Sequence, residues 1–479
     1  MKLANVVGSG PNGLSAAIAL ARVGVRVTVF EGEDVPGGSL RTEEATLPGF
    51  RHDIGAAVFP MGVASPFFRS LPLQEHGLQW VEPEIPLAHP LPGGDAVALF
   101  HSLDETTANL REDSGAYRSL MEPVADAWND LIYEVLGPVF HVPRHPLALA
   151  GFGLKALQPA THLAQSTFAT ERARALFAGL AAHSVVPLDF AATSAVALVL
   201  GVTAHAGGWP VARGGSGAIA NALTGVLTSL GGSVRTGTWV NSLRDLPQAD
   251  CTLLDVTPQQ FLKIAGDAVA PERRRPYVKF RRGPGICKVD WALSEPIPWQ
   301  NELCRRAGTV HVGAFMEEIA ASERDAFEGR CNDRPFILLA QPSLFDSSRA
   351  PAGKHTAWAY CHVPNGSAED KTAAIEAQIE RFAPGFREVI LARNTRTAPR
   401  MEAWNPNLLG GDLSGGSMEL TQLLRRPKLP PYSTPIPGVY LCSSSTPPAG
   451  GVHGMCGALA AEAAALHLGV RLPSLTPQR

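Results

Sequence analysis

The residues best equipped for chemistry stand at the start of the chain: Gly8-Ser9-Gly10-Pro11-Asn12-Gly13, then Glu31, then Gly37-Gly38-Ser39-Leu40-Arg41-Thr42. Gly8 permits a tight turn, Gly10 lets the backbone come close to a pyrophosphate, and Gly13 lets a helix and a strand pack. Glu31 is suited to accept hydrogen bonds from a ribose, and Arg41 offers a planar fork for phosphate oxygens. These groups act together only if the chain positions them. An apolar run at residues 3–7 enters the glycine turn as a strand, a small-residue helix follows at 14–23, and a second apolar run at 25–30 ends on the acid. Strand, glycine turn, helix, strand and acid form a dinucleotide-binding unit, with the unpaired N–H groups of the helix aimed at the phosphates. The plain alternatives are an ordinary βαβ turn and, for Arg41, a solvated surface arginine.

Composition sets the outer limits. A chain of 479 residues exceeds one ordinary core, so two domains are expected. Apolar residues make up 45% and charged residues 18%, with a net charge of −3, which fits a globular enzyme and offers nothing to nucleic acid. The seven cysteines are scattered without a C-x-x-C pair, so no metal site and no disulfide framework is expected. They suit a reducing cytoplasm, and the first strand begins too early to leave room for a leader sequence. The longest uncharged stretch, residues 190–212, is interrupted by Gly201, Gly207, Gly208 and Pro210. It reads as buried core or the wall of a lipophilic cavity, not as a membrane span.

Along the chain, residues 50–60 read as a strand running into a small-residue loop whose Gly55 and Ala56 allow close approach to a flat ring. Between 66 and about 205, helical periodicity appears at 116–136, 147–157, 170–182 and 191–202. Several of these helices are apolar on more than one face, as in a deep core or a greasy pocket. A helix at 218–230, a short strand at 234–236, Val240 and a buried strand at 251–256 resume the nucleotide-binding pattern. Strands then follow at 287–293, 309–313, 335–339 and 355–363, and an amphipathic helix at 373–382. On the first of these, Lys288 and Asp290 share one face and Val289 and Trp291 the other. The last unit is a loop at 405–417, a strand at 437–442, a loop at 443–451 and an alanine-rich helix at 452–468. Gly450, Gly451 and Gly454 at that helix start leave first-turn N–H groups for an anionic partner. No second G-x-G-x-x-G follows a strand, so no nicotinamide-nucleotide domain is expected.

The N-terminal block, Trp209 to Gly217, Gly410-Gly411-Asp412-Leu413-Ser414-Gly415-Gly416 and the block from Cys442 to Gly457 together resemble the phytoene desaturase-related flavoproteins of the amine oxidase and phytoene desaturase superfamily. The resemblance extends over essentially the full chain and points in particular to the branch called pyridine nucleotide-disulfide oxidoreductase domain-containing protein 2. It implies an α/β fold: a Rossmann-like FAD-binding domain of the glutathione reductase type 2 family, built from discontinuous segments, with an inserted mixed α+β substrate domain. Residues 1–65, 206–275 and 400–479 would form the former, and 66–205 and 276–399 the latter with its helical portion. It also implies that FAD is contacted by Gly8, Gly10, Pro11, Asn12, Gly13, Glu31, Gly32, Gly37, Gly38, Ser39 and Arg41. Gly55 and Ala56 would lie beside the flavin, Val240 on the adenine side, and Ser444, Gly451 and Val452 would come from the last unit. Members usually carry a histidine in the segment after the last strand; here that position is Pro447.

The expected function is an FAD-dependent oxidoreductase that takes a hydride from a lipophilic small molecule, as a desaturase or dehydrogenase, with oxygen or a quinone reoxidising the flavin. Alternatives are an amine oxidase, a flavin-dependent isomerase and a flavin-binding subunit without catalysis, the last kept open by Pro447. Peripheral contact with a membrane is a further expectation, and no oligomeric state is indicated. The catalytic group is open. Lys288 and Asp290 read more simply as a solvated or structural pair, and His311 as a core or surface hydrogen-bonding residue, with a pocket role as the sharper reading of each.

Overall fold

The apolar runs Leu3–Val7 and Arg26–Phe30 are almost entirely buried, as central strands of a parallel sheet must be. In the computed structural model, which describes residues 1–138, 140–428 and 430–475, they lie in a parallel five-stranded sheet. Its order is Val439–Leu441, Cys251–Leu254, Leu3–Val7, Arg26–Phe30 and Ser233–Arg235. Val7 is in register with Phe30 and with Leu254, and Leu254 with Leu441. Gly8, Glu31, Asp255 and Cys442 therefore leave the sheet in one row at its C-terminal edge, where open α/β sheets form their binding crevice.

The helix Pro11–Ala21 starts at that edge and packs between Gly217–Ser229 and Met455–Leu468. The approach of the first and last helices is close enough to demand glycine: a Cβ on Gly457 would stand 1.8 Å from the carbonyl oxygen of Asn12. Segments more than four hundred residues apart are thus locked together over the crevice.

A second sheet of seven strands has the order Ile390–Arg396, Gly285–Leu293, His355–Val363, Ile337–Ala340, Ala307–Val312, Ile85–Pro90 and Ala96–Leu99. Its pairs are antiparallel except Ala307–Val312 with Ile85–Pro90. Helices Ser114–Asp126, Trp128–Val135, Pro146–Ala156, Ala160–Thr167, Glu171–Ala181 and Thr193–Ala206 form the helical layer. The single periodic stretch at 116–136 divides into two helices at Ala127.

Among the elements the sequence reading missed, four belong to the second sheet or pack on it. Ile85–Pro90 and Ala96–Leu99 lie inside the stretch read as helical, yet they close one edge of the second sheet, because continuous buried runs carry no period. Met316–Phe327 and Ile390–Arg396 carry many charges, which masked a helix and an edge strand. Among the described residues no helix is long and apolar enough to cross a membrane, no group of three or more His, Cys, Asp or Glu is placed to hold a metal, and all seven cysteines are free.

Candidate active site

One cavity of about 860 Å³ runs from the crevice of the parallel sheet to the face of the second sheet. At the crevice end its walls are Gly8, Ser9, Gly10, Pro11, Asn12, Glu31, Gly32, Gly38, Ser39 and Arg41, with Val240, Ser444, Gly451 and Val452 beside them. Gly55 and Ala56 line it in the middle. Two anticipated residues, Gly13 and Gly37, are not in the wall. Gly13 packs instead, since a Cβ there would lie 2.1 Å from the Gly8 carbonyl oxygen, and its N–H donates to Asp255 Oδ2 at 2.9 Å. Gly37 sits behind the loop, with φ +129°, and its N–H donates to Ser9 Oγ at 3.0 Å.

The wall is made of backbone in contact with backbone. A Cβ on Gly38 would come 2.9 Å from Gly10 Cα, and one on Gly55 would come 2.2 Å from the Ser39 carbonyl oxygen. Glu31 is pinned at the strand tip: Oε2 accepts from Ser9 N–H at 2.9 Å and from Ser9 Oγ at 2.5 Å, and Oε1 accepts from Glu33 N–H at 3.0 Å. Arg41 donates from Nε to the Gly38 carbonyl at 3.2 Å and lies 5.0 Å from the Trp404 ring centroid. The Asn12 Oδ1 atom is buried without a partner. Such a cradle, in which backbone stands where any side chain would intrude, fits an extended dinucleotide. Asp255, which the sequence reading passed over, stands under it, and burial pushes its carboxyl up to about 7.

The middle of the cavity is held by a buried charge. Asp53 Oδ1 accepts from Thr42 Oγ1 at 2.8 Å and Ser216 N–H at 2.7 Å, while Arg349 Nη2 meets Asp53 Oδ2 at 2.7 Å. Both side chains are essentially inaccessible. Arg349 comes from the second sheet's connections, so this pair ties the loop from Gly55 to Val58 to the opposite half of the molecule.

Past that loop the walls turn apolar. Val196, Val199 and Leu200 of the helix Thr193–Ala206 face Leu338, Ala340, Trp358 and Tyr360 of the second sheet. Of the uncharged stretch read as buried core or a cavity wall, Val196, Val199 and Leu200 are wall, while Ala197, Leu198, Val202 and Ala204 are core. Trp358 and Tyr360 stack with centroids 5.7 Å apart and planes 9° apart. Two histidines, His183 and His362, line this end and were not singled out from sequence, since lone histidines carry no local signal.

The three catalytic candidates lie behind the wall. Lys288 and Asp290 pair directly at 1% and 0% side-chain exposure, with the Lys288 ammonium 5.3 Å from the Trp358 ring centroid. They are buried and structural, not solvated. Burial pushes Lys288 down and Asp290 up, each opposed by the partner's charge. His52 approaches Asp290 at 3.8 Å, but burial lowers it to about 3, so it stays neutral there. His311 is fully buried, faces His183 with the two Nε2 atoms 3.0 Å apart, and is held well below its ordinary pKa by burial.

At the last helix, His453 Nδ1 accepts from Met455 N–H at 3.1 Å, so that first-turn donor is taken and not open as expected. Pro447 is not in the cavity wall; its carbonyl accepts from Tyr432 OH at 3.2 Å, and Pro448 lines the cavity instead.

The family model described as flavin containing amine oxidoreductase matches residues 12–270, more than half of the chain. The chain belongs to the flavin-containing amine oxidoreductase family. It is an FAD-dependent oxidoreductase, and the glycine cradle meets that cofactor's shape. Among relatives of this flavin-containing amine oxidoreductase, the rat pyridine nucleotide-disulfide oxidoreductase domain-containing protein 2 is 26% identical over 95% of this chain and 92% of its own. A phytoene dehydrogenase of Streptomyces griseus is 26% identical over 82% of this chain and 78% of its own. An oxidoreductase from Methanosarcina mazei has a TM-score of 0.64 at 17% identity, covering 96% of this chain and 99% of that one, a likeness of fold.

Proposed function

We propose that the protein removes a hydride from a lipophilic organic molecule, acting as a desaturase or dehydrogenase, with oxygen or a quinone as the terminal acceptor. The observation that carries this reading is a continuous cavity whose glycine-walled end leads into a chamber of Val196, Val199, Leu200, Leu338 and two stacked rings. When bound, FAD supplies a two-electron acceptor at ring N5. In this reading Gly8, Gly10, Pro11, Asn12, Glu31, Gly32, Gly38, Ser39 and Arg41 hold the dinucleotide. Gly55, Ala56, Val240, Ser444, Gly451 and Val452 position the ring system and the adenine. The apolar walls exclude water and hold a substrate chain over the ring, which brings reacting atoms into contact without needing a charged handle.

Amine oxidation, the nearest rival, calls for an amine passing between facing aromatic walls. A sandwiched chain needs roughly 7 Å between rings, whereas Trp358 and Tyr360 stand 5.7 Å apart in direct contact and form a floor, not a cage. Delivery of so apolar a substrate is supported by the exposed Phe140, Val142, Leu147, Leu154 and Leu157, which we read as a peripheral membrane contact beside the helical wall.

Anaerobic mixing of the FAD-loaded protein with polyenes, acyl chains and amines tests the reading. Bleaching of the oxidised flavin band by a polyene or acyl chain upholds it. Bleaching by amines alone, or persistent colour with every class, rejects it.

A further inference from the structure

We propose that His362, oriented by Glu323, accepts the proton released from the substrate as the hydride departs; the assignment rests on the hydride-removal reading. On the strand His355–Val363, side chains two apart share a face. Trp358, Tyr360 and His362 accordingly form a row along the cavity floor, each ring centroid 5.7 Å from the next. Tyr360 in the middle packs against the cluster of Ala57, Ala340 and Trp358 and against that of Ile286, Met401 and Leu408; Ala57 and Leu408 belong to the two loops that frame the ring-binding part of the cavity. His362 is the next ring along.

Glu323 comes from the helix Met316–Phe327, which packs on the same face of the sheet as His362. Its two oxygens lie 2.9 Å and 2.8 Å from His362 Nδ1, and the side chains are 2% and 1% exposed. A carboxylate so placed makes Nδ1 the donor and leaves the Nε2 lone pair on the opposite edge of a ring that lines the cavity. The groups around His362 are Glu323, the phenol of Tyr360, and His183 with His311 behind it. Of the two cavity histidines, His183 is pushed down to about 3 by burial, with His362 adding to the effect, so it stays uncharged at neutral pH. His362 alone has an anion to balance the charge it would take on.

The C–H bond of one carbon breaks with its electron pair, delivering a hydride to the flavin, which is reduced by two electrons. Positive charge developing on that carbon acidifies the C–H bond beside it. That second bond breaks with its proton going to His362 Nε2, and its electron pair becomes the new C=C bond. The imidazolium formed is stabilised by the Glu323 carboxylate and returns its proton to solvent after product leaves. An acid–base group acting in this way contributes roughly 10²–10⁴-fold to the rate.

The FAD-loaded wild type, H362Q, E323Q and E323D decide the matter. H362Q should keep the flavin spectrum and bind ligand within about threefold of wild type, judged by the ligand-induced spectral shift. Its rate of anaerobic bleaching should fall by roughly 10²–10⁴-fold, and the acid limb of its pH profile should vanish. E323Q should lose part of that rate and E323D should recover most of it, which a packing role would not produce. Independently of turnover, diethylpyrocarbonate should modify His362 in the loaded wild type, read by peptide mass spectrometry, and a lipophilic ligand filling the cavity should protect it. H362N replaces H362Q if the latter fails to hold FAD. Bleaching by H362Q at the wild-type rate with the acid limb intact overturns the proposal, as does a His362 refractory to the reagent. A wild type bleached by no substrate overturns the hydride-removal reading instead, a result distinct from a wild type that bleaches and a variant that bleaches equally well.

Discussion

Arg349→Met separates the charge that holds the cavity's middle loop from its partner. The guanidinium is 0% exposed and lies 2.7 Å from Asp53 Oδ2, with a further bond from Nε to the Arg51 carbonyl at 3.2 Å. At an effective dielectric near 20 that separation gives about 6 kcal/mol of direct attraction, most of it offset by the desolvation both ions have suffered. What the variant exposes is the uncompensated Asp53, for which removal of one partner typically costs about 3–5 kcal/mol. Unfolding 479 residues carries an entropy of about 1 kcal/mol/K, so the midpoint should fall by about 3–5 °C. Because Asp53 also anchors Thr42 and Ser216, the loop bearing Gly55 and Ala56 should loosen and FAD should be retained less well. Thermal unfolding with flavin fluorescence as the second probe reads both effects. The double variant D53N/R349M, which leaves no orphaned charge, should recover part of the loss. A shift under 1 °C for R349M, or a double variant no better than the single one, would refute the reasoning.

Gly55→Ala places a Cβ 2.2 Å from the Ser39 carbonyl oxygen, so it should lower FAD affinity and destabilise by about 1–3 kcal/mol, measured by flavin titration and melting. Val199→Trp fills the chamber from the helical wall: the oxidised flavin spectrum should persist while bleaching by a lipophilic substrate is lost, and unchanged bleaching would show that the substrate binds elsewhere. Asp255 has its carboxyl raised by burial to about 7 from an ordinary 3.8, so the folded state disfavours the charged form. That contribution is absent below pH 4 and costs stability progressively as pH rises from about 4 to 7, to a total on the order of 4 kcal/mol. Asp255→Asn should therefore gain stability relative to wild type across that window, and pH-resolved melting with parallel curves would count against it. Leu147→Asp with Leu154→Asp should abolish flotation with liposomes while leaving the flavin spectrum unchanged.

The nucleotide-binding half was legible because its signals are local. Gly8, Gly10, Glu31 and Arg41 fall within one βαβ unit, where turn chemistry and hydrophobic period together dictate geometry over about forty residues. The apolar stretch at 190–212 was readable as buried core or cavity wall, since composition sets what a helix can bury but not which of the two each residue meets. The strands Ile85–Pro90 and Ala96–Leu99 were not readable, because a buried run takes its strand identity from the neighbours it pairs with.

Only the tertiary structure decided which chemistry-bearing side chains share a space. His311, Lys288 and Asp290 have the right residue types and lie behind the cavity wall, while His362 and its Glu323 partner, thirty-nine residues away, come together only when a helix packs on a sheet. The alternation along a strand tells which residues share a face. Whether that face meets solvent, core or cavity depends on layers contributed by distant parts of the chain, and no local rule contains that information.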